Sequence, residues 1–167
     1  MEYKEDLEWS WKHRKEIKKI TTRLEKRKEK DVDEQVNAAH DTAFETIDCL
    51  KCGNCCSTTS PIINQLDLKR IAKALGQKPV AVQAQYMRVD EEGDMIFKST
   101  PCPFLGEDKA CQIYDSRPRA CSEYPHTDRK KANKLMKVHE QNSQVCPAVS
   151  RVFKEIFENA KIKTPSS

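Results

Sequence analysis

Four cysteines lie within eight residues in the run Cys49-Leu-Lys-Cys52-Gly-Asn-Cys55-Cys56. Two cysteines separated by two residues can direct both sulfurs to one ion, at about 2.3 Å for zinc. Gly53 supplies the permissive backbone that such a turn often needs. The first three cysteines also match the start of a bacterial ferredoxin ligand run, from which the adjacent Cys56 departs. The run therefore predicts a metal site but does not identify the metal.

Four further cysteines follow, at Cys102, Cys111, Cys121 and Cys146. Adjacent Cys55 and Cys56 cannot easily ligate one ion, because the chelate ring between neighbouring residues is strained. The eight cysteines suffice for two four-sulfur shells, which leaves open two zinc ions, two clusters, or one cluster beside unliganded thiols. The first residues lack the apolar stretch of a signal peptide, so we expect a cytoplasmic location in which thiols stay reduced.

Composition limits the other functions available to the chain. Its 167 residues are 37% hydrophobic and 34% charged, with only four glycines. No apolar run approaches the ~18 residues of a membrane helix, so we expect no membrane partner. No glycine-rich nucleotide-binding pattern is present. A modest core also predicts that bound metal stabilises the fold.

The excess positive charge is confined to the N-terminal arm. Residues 1–30 carry eleven Lys and Arg against seven acids, whereas the rest of the chain is balanced. Pairs such as Glu16–Lys19 and Glu25–Lys28 are expected to cancel part of this field. We therefore expect a solvated amphipathic helix and a protein partner, with nucleic acid as the weaker alternative.

Helical periodicity predicts two helices in the arm. The first carries an apolar stripe of Leu7, Trp11, Ile17, Ile20 and Leu24. The second is capped by Asp31 or Asp33 and leads into the cysteine run. Its inward face holds Val36, His40, Ala43, Phe44 and Ile47.

Turn and cap residues predict the later elements. Asn64 or Ser60-Pro61 begins a helix with Leu66, Ile71 and Leu75 inward, which Gly76 ends. Pro79 begins a helix to about Tyr86, and a hairpin follows over residues 87–98. Short helical segments are expected at 112–115 and 128–141. Pro147 begins the clearest amphipathic helix, with Val149, Val152, Phe153, Ile156, Phe157 and Ala160 on one face.

Three blocks together resemble the YkgJ-type cysteine-cluster family of zinc- or iron-chelating domains. They are the first cysteine run, the segment Asp67-Leu-x-Arg-Ile-Ala-x-x-Leu-Gly76, and residues 102–125 with Cys111-Gln-Ile-Tyr-Asp-Ser-Arg-Pro-Arg-Ala-Cys121. The resemblance spans about residues 49–146 and implies metal chelation. The related cluster of flagellin lysine methylases looks like an iron–sulfur site, which favours iron over zinc.

The resemblance implies seven metal ligands: Cys49, Cys52, Cys55, Cys56, Cys102, Cys111 and Cys121. Cys146 is added as an eighth candidate, because it precedes a proline as Cys102 does and because it makes the number of cysteines even. The chain departs from the family at Ser122 and His126, where arginine and phenylalanine are frequent.

Other polar residues near the cysteines have simpler explanations than ligation. His40 is more often a hydrogen-bonded core residue on such a face, and His126 is a candidate ligand because it lies close to Cys121 in sequence. His13 and His139 are expected at the surface. The aromatic and basic residues Tyr114, Arg117 and Tyr124 are expected to pack around the centre. The cations Lys51, Lys109, Arg117 and Arg119 flank the cysteines and would compensate a centre of net charge −2.

These observations predict a mainly α fold: a small α+β domain with one short β-hairpin, organised around cysteine-bound metal, and a helical N-terminal extension. We expect the extension over residues 1–48, the metal-binding domain over 49–160 and a disordered tail over 161–167. The predicted function is a structural or electron-transfer protein with an iron–sulfur (4Fe–4S) or zinc centre. Two alternatives are an enzyme or enzyme subunit in protein modification, and an adaptor that binds RNA or protein through the basic helix.

Overall fold

A computed structural model describes residues 3–162 of the chain. It is mainly helical with a single two-stranded antiparallel hairpin, which confirms the predicted fold class. The elements are α1 Lys4–Lys12, α2 Arg14–Glu25, α3 Glu29–Phe44, α4 Cys49–Cys52, α5 Asn54–Thr58, α6 Gln65–Ala74, α7 Pro79–Tyr86, β1 Met87–Val89, β2 Met95–Phe97, the 3-10 helix η1 Tyr114–Ser116, α8 Arg119–Glu123, the 3-10 helix η2 Ala132–Leu135, α9 Met136–Asn142 and α10 Pro147–Ile162.

The chain divides into two units. The helical unit comprises described residues of 1–48 and 125–167, and the cysteine unit comprises residues 49–124. Of the predicted tail, residues 163–167 lie outside the described residues. No helix in the part of the chain that the structure describes is long and apolar enough to cross a membrane.

Helix α10 provides the main core surface of the helical unit. Its apolar residues recur at the predicted spacing; Phe157 and Ala160 are partly buried, and the other four of the predicted face are buried. These are Val149, Val152, Phe153 and Ile156. They pack in one core with α3, which buries Val32 and Val36, and with α2, which buries Ile17 and Leu24. The 3.6-residue period therefore predicted these faces correctly.

Helix α1 joins this core through polar contacts and through Trp9, which packs edge-on against Phe157 and lies off the predicted stripe. Ser10 is fully buried and donates a hydrogen bond to Ser150 Oγ at 2.8 Å. Arg151 binds both carboxylate oxygens of Asp6, at 3.0 and 2.9 Å. Trp11, which the sequence places on the apolar stripe, does not pack into this core, because its side chain is 58% exposed.

The start of α3 differs from the predicted cap. The helix begins at Glu29, and Lys28 at the N-cap makes no side-chain capping bond. Asp33 instead accepts the N–H groups of Lys131 and Ala132, at 3.0 and 2.7 Å, and so caps η2. No local sequence pattern predicts this role of Asp33, because its partners lie 98 and 99 residues later in the chain.

Helix α6 contributes to the apolar core of the cysteine unit, and local signals define both of its ends. Asn64 and Asp67 form a reciprocal capping box, as the predicted start at Asn64 requires. Gly76, at φ +64°, ends the helix, and the N–H of Gln77 donates to Ala72 O at 3.0 Å in a Schellman motif. The prediction that Leu66 lies inward is wrong, since it is 69% exposed and the buried face instead includes Leu68.

Helix α7 and the hairpin complete this core. Pro79 occupies the first turn of α7, and β1 pairs with β2 in the register Met87↔Phe97 and Val89↔Met95. The buried cluster consists of Ile63, Leu68, Ile71, Ala72, Val82, Met87, Phe97, Phe104 and Ile113. Cys102 and Cys111 pack against its edge, so the cysteine chemistry lies directly on the apolar core of this unit.

Candidate metal centre

Gly53 shapes the backbone that presents the first cysteines. It connects α4 to α5 in the left-handed conformation, at φ +56°. A Cβ at this position would lie 3.0 Å from Lys109 O and 3.3 Å from a methyl carbon of Leu105. Glycine is therefore required both by the turn and by the close approach of the loop that precedes Cys111.

Backbone hydrogen bonds bring Cys102 and Cys111 to Cys56. The N–H of Cys102 donates to Cys56 O at 2.8 Å, which fixes the two chain segments side by side. Leu105 and Cys111 form an isolated antiparallel bridge, so the chain turns back on itself between the two cysteines. Cys102 and Cys111, which follow Cys56 by 46 and 55 residues in the sequence, are thereby brought near it.

Asp67 fixes the segment that carries Cys121. Its side chain is 1% exposed, and Oδ1 accepts the N–H of Arg119 at 3.0 Å, at the first residue of α8. Arg70 donates to the same oxygen at 2.6 Å and to Arg117 O at 3.0 Å. The Asp67–Arg70 pair therefore ties α6 to the chain on both sides of Pro118 and positions Cys121 on α8.

Each pair among Cys56, Cys102, Cys111 and Cys121 interacts electrostatically. Burial raises the pKa of Cys102 to about 11, and the charges of Cys56 and Cys111 add to this rise. Burial raises the pKa of Cys121 to about 12, with further contributions from Cys56, Cys102 and Cys111. The pKa of Cys111 is also raised, by burial first and then by Cys56. The four thiols, from three separate stretches of sequence, are therefore near enough to influence one another's ionisation.

Cys56 is the exception within this locus. A hydrogen bond from the Cys55 side chain lowers the pKa of Cys56 to about 7, although burial opposes the change. Cys56 consequently ionises more readily than Cys102 and Cys121, whose pKa values burial raises. A readily ionised thiol near three others is a starting point for binding a cation that displaces their protons.

Arg117 is the cation that acts on this locus. It lowers the pKa of both Cys111 and Cys121 by charge attraction, against the larger effect of burial. Its guanidinium lies 3.8 Å from the ring centre of Tyr114 and donates to Tyr114 O at 2.8 Å, which holds it in place. Arg119, also predicted to compensate the centre, instead donates to Glu123 at 2.6 Å.

The other predicted ligands have different surroundings. In the cysteine unit, Cys49 is exposed, and Cys52 and Cys55 are partly buried on α4 and α5. Cys146 belongs to the helical unit, where it is 8% exposed immediately before α10. None of the eight cysteines, all within the described residues, forms a disulfide bond.

Three of the histidines are partly or fully buried and contact other side chains or the backbone. His40 Nδ1 lies 2.7 Å from Thr127 Oγ1, the hydrogen-bonded role that its position on the helix favoured. The prediction of a surface position for His139 is wrong: it is 1% exposed, and its Nε2 lies 3.2 Å from His126 O. His13 is half-buried and stacks on Trp9 at 4.4 Å between ring centres. His13 and His139 are both flanked by charged residues in the sequence, which led to the prediction of surface positions.

A set of carboxylates lies at the hairpin turn, away from the cysteine residues in sequence. The ligand oxygens of Asp90, Glu92 and Asp94 lie within 4.8 Å of one another. Asp90 Oδ1 accepts the N–H groups of Glu92 and Asp94, at 3.0 and 2.9 Å. The turn itself therefore accounts for their proximity.

Sequence reasoning missed the positioning role of Asp67 and Arg70. Both residues belong to the block Asp67-Leu-x-Arg that contributes to the family resemblance, so a signal was present. Their contacts with Arg117 and Arg119 form only when the chain folds back on itself, so the local sequence pattern does not predict them.

Comparison with known families identifies the domain to which most of the chain belongs. Residues 48–157 match the family model described as "CxxCxxCC: Putative zinc- or iron-chelating domain". Searches of curated proteins and of solved structures find no match. The matched range contains all eight cysteines and both residues that position Cys121.

Proposed function

Since this chain belongs to the CxxCxxCC family of zinc- or iron-chelating domains, we propose that Cys56, Cys102, Cys111 and Cys121 hold one metal centre. The family assignment supports metal binding in general. The observation that carries the choice of residues is the hydrogen bond from Cys102 N–H to Cys56 O, which holds these two segments side by side. The Leu105–Cys111 bridge and the Asp67 anchor at the start of α8 bring the segments of Cys111 and Cys121 to the same part of the unit. Four sulfur donors match the demand of a four-coordinate zinc ion or of an iron–sulfur cluster.

The centre that we propose is an iron–sulfur cluster, with zinc as the second candidate. Resemblance to the cysteine cluster of flagellin lysine methylases supports iron, and the family description includes both metals. A cluster would supply one-electron transfer, whereas zinc would supply a fixed cross-link between chain segments. The proposed role is accordingly electron transfer or structural stabilisation in a reducing cytoplasmic compartment.

The chain's own residues prepare this site in three ways. Cys56 ionises more readily than an ordinary cysteine, because a hydrogen bond from the Cys55 side chain lowers its pKa to about 7. Arg117 favours the thiolate forms of Cys111 and Cys121. The apolar cluster against which Cys102 packs keeps one side of the site dry, which strengthens these charge interactions.

The remaining cysteines stay predicted ligands on their spacing and on the family resemblance. They are Cys49, Cys52, Cys55 and Cys146. If they contribute a second centre, the metal content of the protein is twice that of the proposed site alone. The two sets can be separated by substitution.

The experiment is a metal analysis of variants purified without oxygen. Cys111→Ala and Cys121→Ala should each lose the metal of the proposed centre, because one of four donors is removed. Ser122→Ala is the matched control, since Ser122 is an exposed residue on the same helix as Cys121. Cys52→Ala reports on the other set. Full metal content in both the Cys111 and the Cys121 variants would overturn the proposal.

A further inference from the structure

Helix α2 presents a continuous face of positive charge. The residues of this basic stripe are Lys15, Lys18, Lys19, Thr22, Arg23 and Lys26, which together line one open surface groove. All six are exposed. Their spacing of three and four residues places them along one side of the helix.

The opposite side of α2 is fixed in the core of the helical unit. Ile17, Ile20, Thr21 and Leu24 are buried there, so the stripe faces outward along its whole length. Because the apolar face is occupied, α2 cannot insert that face into a lipid surface without unpacking the unit. The arrangement disfavours a membrane as the ligand.

The charges of the stripe are not cancelled as the sequence predicted. Among ion pairs within the described residues, none involves Lys15, Lys18, Lys19, Arg23 or Lys26. The expected pairing of Glu16 with Lys19 does not form, and both Glu16 and Glu25 lie half-buried beside the stripe. The stripe therefore keeps five exposed cations without an acid among them.

The charge density of the stripe matches one strand of a DNA duplex. Lys15 and Lys26 are eleven residues apart, which is about 16 Å along a helix. Five charges over that length give one charge per about 3 to 4 Å, and one strand of B-DNA carries one per about 3.4 Å. An acidic peptide would need an equally dense run of carboxylates to meet the same face.

The aromatic residues nearest in sequence are not part of the stripe. Trp9 is stacked on His13 and contacts Phe157 edge-on at 6.0 Å, so its ring is already packed. The exposed Trp11 lies on α1 and does not line the groove. Without aromatic platforms the groove lacks the means to stack unpaired bases.

We propose that the basic stripe of α2 binds the phosphate backbone of double-stranded DNA without reading its sequence. Binding uses the lysine and arginine side chains as point charges on successive phosphates. It does not depend on the proposed metal centre, since no stripe residue is in the cysteine unit.

The test measures fluorescence anisotropy of a labelled mixed-sequence duplex with the full, metal-loaded chain between 50 and 200 mM salt. Five phosphate contacts predict a slope of log affinity against log salt of about −4.5, or about a 500-fold loss across this range. The double variant Lys15→Gln, Lys19→Gln should make the slope shallower by about 1.8. The matched control is Lys69→Gln, Lys73→Gln, two exposed lysines four residues apart on α6.

Circular dichroism checks that both double variants keep the helical content of the unmodified chain. An unchanged slope in the Lys15, Lys19 variant would overturn the proposal, as would an equal effect in the control. Tighter binding of single-stranded DNA, duplex RNA, poly-glutamate or phosphatidylserine vesicles than of duplex DNA would also overturn it.

Discussion

At the residue scale, the candidate centre depends on neighbours that set the protonation of its sulfurs. Cys55 lowers the pKa of Cys56, whereas burial raises those of Cys102 and Cys121. Metal binding at neutral pH must therefore release protons from at least two thiols, and affinity must rise with pH. Arg117 assists because its charge favours thiolate at Cys111 and Cys121.

Arg117→Gln should weaken metal binding at a fixed neutral pH. Loss of the cation raises the pKa of Cys111 and Cys121, so the midpoint of metal uptake should move up by about 0.5 pH unit. Zinc uptake followed from pH 5 to 9 measures this midpoint. Arg119→Gln is the control, because Arg119 is paired with Glu123. Equal shifts in both variants would contradict the role given to Arg117.

Gly53→Ala should destabilise the protein more than Gly76→Ala. Both glycines have positive φ, which costs a residue with a Cβ about 1–2 kcal/mol. Only at Gly53 would the new Cβ also lie 3.0 Å from a carbonyl oxygen, while nothing lies within 4 Å at Gly76. Urea unfolding should give an additional loss of about 1 kcal/mol for Gly53→Ala. Equal losses in the two variants would show that the close approach is unimportant.

At the element scale, local signals predicted the bounds of α6 and the start of α7, but neither the start of α3 nor which polar residues the helices bury. Local sequence predicts the capping and turn roles of Asn64, Gly76 and Pro79, because each acts on the backbone next to it. Asp33 and Asp67 act on segments 98 and 52 residues away, which no local window contains. Trp11 lies on the predicted apolar stripe but is exposed, whereas Ser10 is buried against α10.

The candidate site shows the same division. Residue type and spacing identified the cysteines, and the adjacency of Cys55 and Cys56 predicted that they would differ in role. The grouping of Cys56 with Cys102, Cys111 and Cys121 depends on the Cys102–Cys56 backbone bond and on the anchoring of α8. These are tertiary contacts, so the sequence identifies eight candidate ligands but not which of them lie near one another.

Helix α9 provides a prediction about acid stability through His139. Burial lowers the pKa of this imidazole to about 4, and its only polar contact in the described structure is to His126 O. An unfolded histidine binds its proton near pH 6.5, so the unfolded state gains stability as the pH falls from 6.5 towards 4. The free energy of unfolding should therefore fall by about 2 kcal/mol between pH 7 and pH 5 on account of this residue.

Urea unfolding of the unmodified chain and of His139→Gln at both pH values isolates this effect. The difference between the two proteins should be smaller at pH 5 than at pH 7, since the variant has no group to protonate there. Subtracting the two also removes the pH dependence of metal binding, which both share. A difference that does not change with pH would contradict the assignment of a buried neutral His139.

At the scale of the whole molecule, the two units rely on different sources of stability. The helical unit buries the periodic faces of α2, α3 and α10. The cysteine unit has a small apolar cluster, with Cys102 and Cys111 at its edge. A cross-link through bound metal would join α5, α8 and the chain that carries Cys102 and Cys111, so we expect metal binding and the stability of this unit to be coupled.

Chelation should lower the thermal stability of the metal-loaded protein. Removal of the centre frees three chain segments from one another, so the melting temperature should fall by about 10 °C or more. Circular dichroism measures the melt before chelation, after chelation and after metal is restored. Restoration should return the original melt, and a melt that chelation leaves unchanged would argue against a structural contribution of the metal.

The most direct test of the central claim is the metal and acid-labile sulfide content of protein purified without oxygen, measured with its visible absorption spectrum. The account predicts iron and sulfide in equal amounts and a brown chromophore, both lost in Cys111→Ala. Colourless protein with zinc would contradict the iron–sulfur assignment. Protein that binds neither iron nor zinc would contradict the metal centre itself.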